Sequence, residues 1–551
     1  MAQNKLKISL IACFIFLITN SFIAQIPTKY WVKFTDKNGS PYSISNPSAY
    51  LSAKSILRRA NHGISVDITD IPVNQTYINA VNGTGALVFQ TSKWFNAAIV
   101  FVTTPSQLTA INSLTCVLSS KQVGKHASTK KDNIVESTMP MLSANKSVAS
   151  VAGYNYGPSV TQASQIGVDC MHSLGFRGQN MTIAIIDAGF NSADVNPVFD
   201  SLRNEGRLLG TRDYVVGTGS VYAADSHGAM VLSIIAGNSP GNLIGTGPKA
   251  QLWLLRSEDV SSEKLIEECN WVVAAEFADS VGADITTTSL GYTTFDNAAD
   301  NHTYADLNGK TSVASIAATM AARKGIFVLN AAGNEGGGAW NFVGVPADAD
   351  SICTVGSVNG SGLHSNFSSV GPTADGRIKP ELSTMGQGTY VCQPGYVFTA
   401  GNGTSFATPV LAGAVACLWQ AHPTRSNMDI LQALKATASQ STTPDNNFGW
   451  GIPNMCAAHN YLTVLTVQEK LEKKTLTLYP NPTHNAINFT LHKTPESIVI
   501  TDVLGNNIAY TLTTTSNNQY TLNLPTDIAN GVYFISIKTY GAIYNSKFVK
   551  E

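Results

Sequence analysis

The chain has 551 residues, with 35 Lys and Arg against 36 Asp and Glu and 44% hydrophobic residues. That length exceeds what one hydrophobic core serves, so two to four domains are expected. A net charge of −1 with no basic block interleaved with aromatics excludes a nucleic-acid partner. Charge is uneven along the chain. Residues 26–150 hold twelve basic and five acidic side chains (net +7) and residues 151–465 hold 14 and 25 (net −11), so these two segments attract each other.

Lys5 and Lys7 precede an apolar run from Ile8 to Ile18 and small or polar residues near Thr19 to Gln25, the pattern of an export signal over residues 1–24. No later run of about 18 apolar residues follows, so the mature chain is expected to carry no transmembrane segment. Eight cysteines include Cys13 in the signal. The remaining seven lack the spacing of a metal site or a disulfide scaffold, which leaves room for one or two bridges of unreadable pairing. Cys417, inside an apolar run, reads as a buried free thiol.

Residues 26–125 read as a small α+β domain. Tyr30, Val32 and Phe34 alternate as in a strand, Ser48 to Ala60 has helical composition ending near Gly63, Trp94 to Val102 is strand-like, and Thr104-Pro105 opens a helix through Leu114. Strand, helix, strand, helix fits a ferredoxin-like unit. Residues 126–153, rich in Ser and Lys with few large apolar groups, read as a linker.

From 154 to 465 the elements alternate in the manner of a doubly wound parallel sheet. Strands are expected at Ile183, Leu252, Ile285, Phe327 and Cys353. Helices are expected at Ala229 to Ala236, Ser262 to Ser280 and Ser312 to Lys324, with Gly282 and Gly325 as stops. The run Met181 to Ile186 is a continuous apolar strand ending on Asp187, and the carboxyl ends of such strands are where ligands and reactive groups collect. His227 stands at a helix start, where the positive helix end favours a neutral imidazole. Gly403-Thr404-Ser405-Phe406-Ala407-Thr408-Pro409 feeds the apolar run Val410 to Trp419, so Ser405 sits at a helix N-terminus and Pro409 in its first turn. Each has a plain alternative: a turn-forming Asp, a surface His, an N-cap Ser.

The order Asp187, His227, Ser405 is that of subtilisin. The phrases Ile186-Asp187-Ala188-Gly189, Ser226-His227-Gly228, Ala331-Ala332-Gly333-Asn334-Glu335-Gly336 and Gly403 to Pro409 resemble the subtilisin-like serine peptidases over roughly residues 155–460. The resemblance implies a secreted endopeptidase with Ser405 as nucleophile, His227 as base, Asp187 orienting the imidazole and Asn334 as oxyanion donor. Ser289, Leu290, Gly291, Ala331, Ala332 and Gly333 would flank the substrate, with Gly344 near the pocket floor. A large apolar residue before the scissile bond is expected, and Glu335 is expected at the solvent-facing rim. The resemblance makes the N-terminal unit a propeptide that plugs the site; its residues alone also suit a structural N-terminal domain. No cofactor is required; many subtilases bind calcium, but no calcium-loop spacing is evident and no ligand is assigned. A non-catalytic adhesin or scaffold on a decayed subtilase domain is the alternative.

Gln468 to Lys474 reads as a charged linker, within residues 466–474. Beyond it, Thr475 to Tyr479, Ile498 to Thr501, Tyr520 to Leu524 and Val532 to Ile537 alternate, with turns at Gly505-Asn506 and Asn530-Gly531, giving a small antiparallel sandwich over 475–551. By composition alone it also suits a carbohydrate-binding or adhesive domain. Tyr479-Pro480-Asn481-Pro482-Thr483, Asp502-Val503-Leu504-Gly505, Gly531-Val532-Tyr533 and the basic end Lys547 to Lys550 resemble the C-terminal sorting domain of the type IX secretion system of Bacteroidetes. The partners implied are protein or peptide substrates, the chain's own propeptide and that secretion machinery. The expected location is the outer surface or the medium.

Overall fold

The computed structural model describes residues 27–125, 153–471, 474–491, 494–516, 518–539 and 542–551. The export signal and nearly all of the 126–153 linker lie outside them. The chain divides into two units, residues 1–458 and 459–551.

The first unit opens with β1 (Thr28–Phe34), α1 (Ala53–Asn61), α2 (Gln75–Gly83), β2 (Leu87–Ser92), β3 (Ala97–Val102), α3 (Pro105–Asn112) and β4 (Val117–Lys125). The antiparallel sheet order β2-β3-β1-β4 is the ferredoxin-like arrangement. Thr104 caps α3 in a reciprocal box with Gln107, as the Thr-Pro start predicts. Trp94 falls in the turn before β3 rather than in the strand. The elements α2, β2 and β4 have no counterpart in the sequence reading, because β2 and β4 bury few residues and show no clean alternation.

After the short helices α4 (Val160–Gln165) and α5 (Val168–Ser173) come β5 (Thr182–Asp187), α6 (Asp200–Asn204), β6 (Leu208–Asp213), α7 (His227–Ala236), the hairpin β7 (Asn238–Ser239) and β8 (Leu243–Ile244), and β9 (Gln251–Arg256). Then follow α8 (Ile266–Val281), β10 (Ile285–Thr288), α9 (Val313–Arg323), β11 (Phe327–Ala331), β12 (Cys353–Asn359), β13 (Leu382–Gln393), β14 (Val397–Asn402), α10 (Thr404–Ala421), α11 (Asn427–Ala436) and α12 (Met455–Leu471). The eight-stranded sheet runs β14-β13-β12-β11-β10-β5-β9-β6, parallel except for β14. The five expected strands are present, and Gly282 ends α8 in the left-handed conformation. α10 is the one helix among the described residues long and apolar enough to span a bilayer, and it is buried in this core. Gly413 lets it approach Thr246 and Gly247, whose atoms a Cβ would strike.

The N-terminal sheet is packed onto this domain. Trp31, Trp94, Ile99 and Val123 share one hydrophobic cluster with Leu265, Ile266 and Cys269 at the start of α8. Polar contacts complete the interface. Glu276 of α8 accepts the Ser92 hydroxyl at 2.5 Å and the backbone N–H groups of Lys93 and Trp94 at 2.7 and 3.1 Å. Lys54 pairs with Asp284 at 2.7 Å, so part of the charge asymmetry is used in contact.

Cys170 and Cys456 form a disulfide across 286 residues of sequence, while Cys116, Cys269, Cys353, Cys392 and Cys417 are free. The linker expected at 466–474 is in part helical, since α12 continues to Leu471; Gln, Glu, Lys and Leu are good helix formers. In the second unit, β15 (Lys474–Thr475), β16 (Ala486–Thr490), β17 (Pro495–Thr501), β18 (Thr511–Ser516), β19 (Gln519–Asn523), β20 (Gly531–Thr539) and β21 (Ala542–Lys550) form the sheets β15-β21-β20-β17 and β16-β19-β18. Ile487, Phe489, Leu522, Ile535, Ile537 and Phe548 fill the core of this sandwich.

Candidate active site

Asp187 is the last residue of β5 and is fully buried. Its Oδ1 accepts the N–H of Ala188 at 2.8 Å and the Nδ1–H of His227 at 2.7 Å. A carboxylate only accepts, so Nδ1 is the protonated nitrogen and Nε2 is left as the basic one. His227 is the first residue of α7, and its N–H is held by Asp225 Oδ1 at 2.7 Å. The approach depends on Gly228. A Cβ there would run into the Gly189 carbonyl and come within 2.9 Å of the Asp187 Cβ, so any side chain would push the helix off the strand end.

Ser405 is the second residue of α10 and is 8% exposed. Pro409 lies inside α10, not in its first turn as expected. It has no N–H for the carbonyl four residues earlier, which is that of Ser405. The Ser289 hydroxyl donates to that carbonyl at 2.8 Å, and the Ser405 hydroxyl donates to the Ser289 carbonyl at 3.3 Å. The residue just beyond β10 thus holds the candidate nucleophile at both of its polar ends.

Asn334 follows β11. Its Oδ1 accepts the N–H of Thr404 at 2.8 Å, which fixes the amide orientation, since only the oxygen accepts. A Cβ built on Gly403 would lie 3.7 Å from both Asn334 Nδ2 and Ser405 Cβ, so the amide N–H donors stand beside the serine.

His227, Ser405 and Asn334 line one cleft of about 640 Å³. Of the expected substrate contacts, Ser289, Leu290, Gly291, Ala331, Gly333 and Gly344 line it too. Ala332 does not; alternation along the extended chain turns it inward, onto Val343 and Ala347. Glu335 is also on the cleft and partly exposed, and its Oε2 accepts the Ser369 hydroxyl at 2.8 Å, close to Gly333.

Glu258, Asp259, Glu263 and Asp296 share the same cleft, and the sequence reading missed them. Ser257-Glu258-Asp259 directly follows the carboxyl end of β9, the position the strand-end rule singles out. Burial pushes the Glu258 carboxyl up to about 7, against hydrogen bonds from Tyr292 and Ser257 and with help from the Asp187 charge. Burial, then the negative charges of Glu258, Asp296 and Glu268, push Glu263 to about 8.

Residues 178–451 match the subtilase family, 29–137 the peptidase S8 propeptide domain of Bacteroidota, and 477–551 the secretion-system C-terminal sorting domain. Subtilisin NAT of Bacillus subtilis subsp. natto is 32% identical over 349 residues, covering 61% of this chain and 81% of the relative. Subtilisin of Bacillus pumilus is 31% identical, covering 54% and 96%, and Subtilisin Savinase of Lederbergia lenta is 27% identical over the same shares. The sorting domain marks the chain for export, to be released or attached at the cell surface. The chain belongs to the subtilase family and is a serine endopeptidase made with an N-terminal propeptide and a type IX sorting domain.

Proposed function

We propose that the chain hydrolyses peptide bonds through Ser405, His227 and Asp187, with Asn334 binding the oxyanion. The observation that carries this is the 2.7 Å Asp187–His227 hydrogen bond opening onto the cleft that holds Ser405 and Asn334. Ser405 Oγ attacks the scissile carbonyl while His227 Nε2 takes its proton and returns it to the leaving amine; buried Asp187 keeps the tautomer and offsets the imidazolium charge. Acidification that protonates His227 therefore stops turnover. The docked N-terminal domain is the enzyme's own inhibitor until it is cut away. Type IX secretion machinery recognises the C-terminal sandwich. Many subtilases bind calcium, but no ligand for it is assigned here; among the described residues no group of three or more His, Cys, Asp or Glu is placed to hold a metal ion.

The test is labelling of the processed protein with a fluorophosphonate. Labelled Ser405 is expected; a folded, mature protein left unlabelled would favour the non-catalytic adhesin or scaffold. Asn334→Ala is expected to lower kcat by about 10²–10³-fold, roughly 3 kcal/mol, the loss established for the corresponding donor of subtilisin. A change confined to KM would contradict the oxyanion role.

Substrate backbone is laid as an added strand between Ser289–Gly291 and Ala331–Gly333. The small walls and Gly344 leave room for Leu, Phe or Tyr before the scissile bond. A Cβ on Gly344 would already stand 3.3 Å from Thr293 Cγ2 and the Tyr292 carbonyl. Gly344→Val is therefore expected to cut kcat/KM on Phe and Tyr substrates by roughly 10–200-fold while sparing Ala. Equal losses on both, measured with paired peptides, would remove Gly344 from the pocket floor.

A further inference from the structure

Two carboxylates of the cleft, Glu258 and Glu263, have no cation in ion-pair contact among the described residues. Glu258 is 7% exposed, and its Oε1 takes both hydroxyl donors, from Tyr292 at 2.5 Å and Ser257 at 3.1 Å. Its Oε2 has no donor among the described residues. Glu263, half-buried on the same wall, has no side-chain hydrogen bond or ion pair there either. The neighbouring cations are engaged elsewhere. Arg256 binds Asp213 Oδ2 and the Ala188 carbonyl, each at 3.1 Å, and Lys264 lies 3.8 Å from Asp296. Among the described residues no three or more His, Cys, Asp or Glu are gathered as metal ligands would be.

Desolvating a carboxylate without a partner is unfavourable, and a cation brought by a ligand removes that penalty where a neutral group of the same size does not. Tyr292, which holds Glu258, continues the segment Ser289–Gly291, one of the two between which the peptidase reading lays the substrate backbone. We propose that Glu258 and Glu263 form a cation subsite of the cleft, taking an ammonium or guanidinium on the acyl side of the scissile bond, upstream of the residue that faces Gly344. This rests on the peptidase reading above. The cation has two sources, a Lys or Arg side chain or the free α-ammonium of a short peptide.

The test uses self-processed enzyme, counted by fluorophosphonate titration, over a pH series from about 7 to 9, because burial raises both carboxyls, Glu258 to about 7 and Glu263 to about 8, whereas a free α-ammonium loses its proton at about pH 8. Internally quenched peptides carry Leu before the scissile bond and Lys, norleucine or Glu at each upstream position in turn, with the N-terminus acetylated or free. Lys is expected to exceed norleucine at one position by about tenfold or more in kcat/KM, carried by KM, with Glu below both. In Glu258→Gln, and in Glu263→Gln, whose carboxylate has no hydrogen-bond donor to leave behind, the ratio is expected to fall toward one. Preference that survives acetylation assigns a side chain; preference seen only with free N-termini assigns the α-ammonium. A labelled enzyme indifferent to charge, or a Lys preference that persists in both Gln variants, overturns the proposal alone. A protein that takes no fluorophosphonate overturns the peptidase reading and this one with it.

Discussion

Ser405→Ala is expected to accumulate as an intact precursor in a protease-deficient host, with the propeptide still attached. Removing the nucleophile of subtilisin's triad costs about 10⁶-fold in kcat, and the same loss here stops self-cleavage on any practical timescale. The fold should survive. The Ser405 hydroxyl makes one 3.3 Å hydrogen bond to the Ser289 carbonyl, which alanine removes, whereas the Ser289 bond to the Ser405 carbonyl needs no serine side chain. Intact mass and thermal unfolding read the two outcomes separately. A Ser405→Ala protein that matured normally would refute self-processing.

Asp279→Ala is expected to weaken propeptide binding more than any other single change at that interface. Asp279 is fully buried in α8. Its Oδ1 binds Arg58 Nη2 at 2.6 Å, and its Oδ2 binds Arg59 Nη2 at 2.9 Å and Lys93 Nζ at 3.1 Å. Arg59 also reaches Asp70, which Lys324 of the enzyme domain meets at 2.9 Å, so the buried cluster crosses the interface twice. Burial alone would raise the Asp279 carboxyl; Lys93, Arg58 and Arg59 more than offset that and hold it well below the usual range. Its stabilising contribution is thus complete above the ordinary carboxylate value and is lost only as the pH falls toward the depressed one. Deleting one partner of a buried charge cluster costs about 3–5 kcal/mol, because the remaining charges stay desolvated. At about 1.4 kcal/mol per tenfold, inhibition of the mature enzyme by added propeptide should weaken by at least two orders of magnitude. An unchanged inhibition constant would show that the apolar contacts of Trp31, Trp94 and Ile266 carry the docking by themselves.

The parts legible from residue order are those whose physical cause is local. A six-residue apolar run ending on a carboxylate reads as a buried parallel strand, and β5 is buried at all six positions. Thr104-Pro105 and Ser312 mark helix starts because their side chains satisfy N–H groups two or three residues ahead. Pro409 misled because a proline is usually read as a first-turn residue; here the carbonyl it leaves unpaired is satisfied from the end of β10 by Ser289, which no local pattern announces.

By itself, the amino-acid sequence carried the resemblance to the family and the three-part organisation and singled out Asp187, His227, Asn334 and Ser405 as candidates, because strand burial, helix starts and glycine-bearing turns depend on near neighbours. Which distant groups meet was decided only by the tertiary structure. Sheet order sets β9 and β10 on either side of β5, which brings Glu258 into the cleft with His227 and Ser405. Closure of the domain brings Cys170 to Cys456, and docking of the ferredoxin-like unit gathers Arg58, Arg59 and Lys93 around Asp279. Such contacts join residues tens to hundreds of positions apart. Their partners are selected by how sheets and helices pack, and packing is a property of the assembled core rather than of any one stretch of chain.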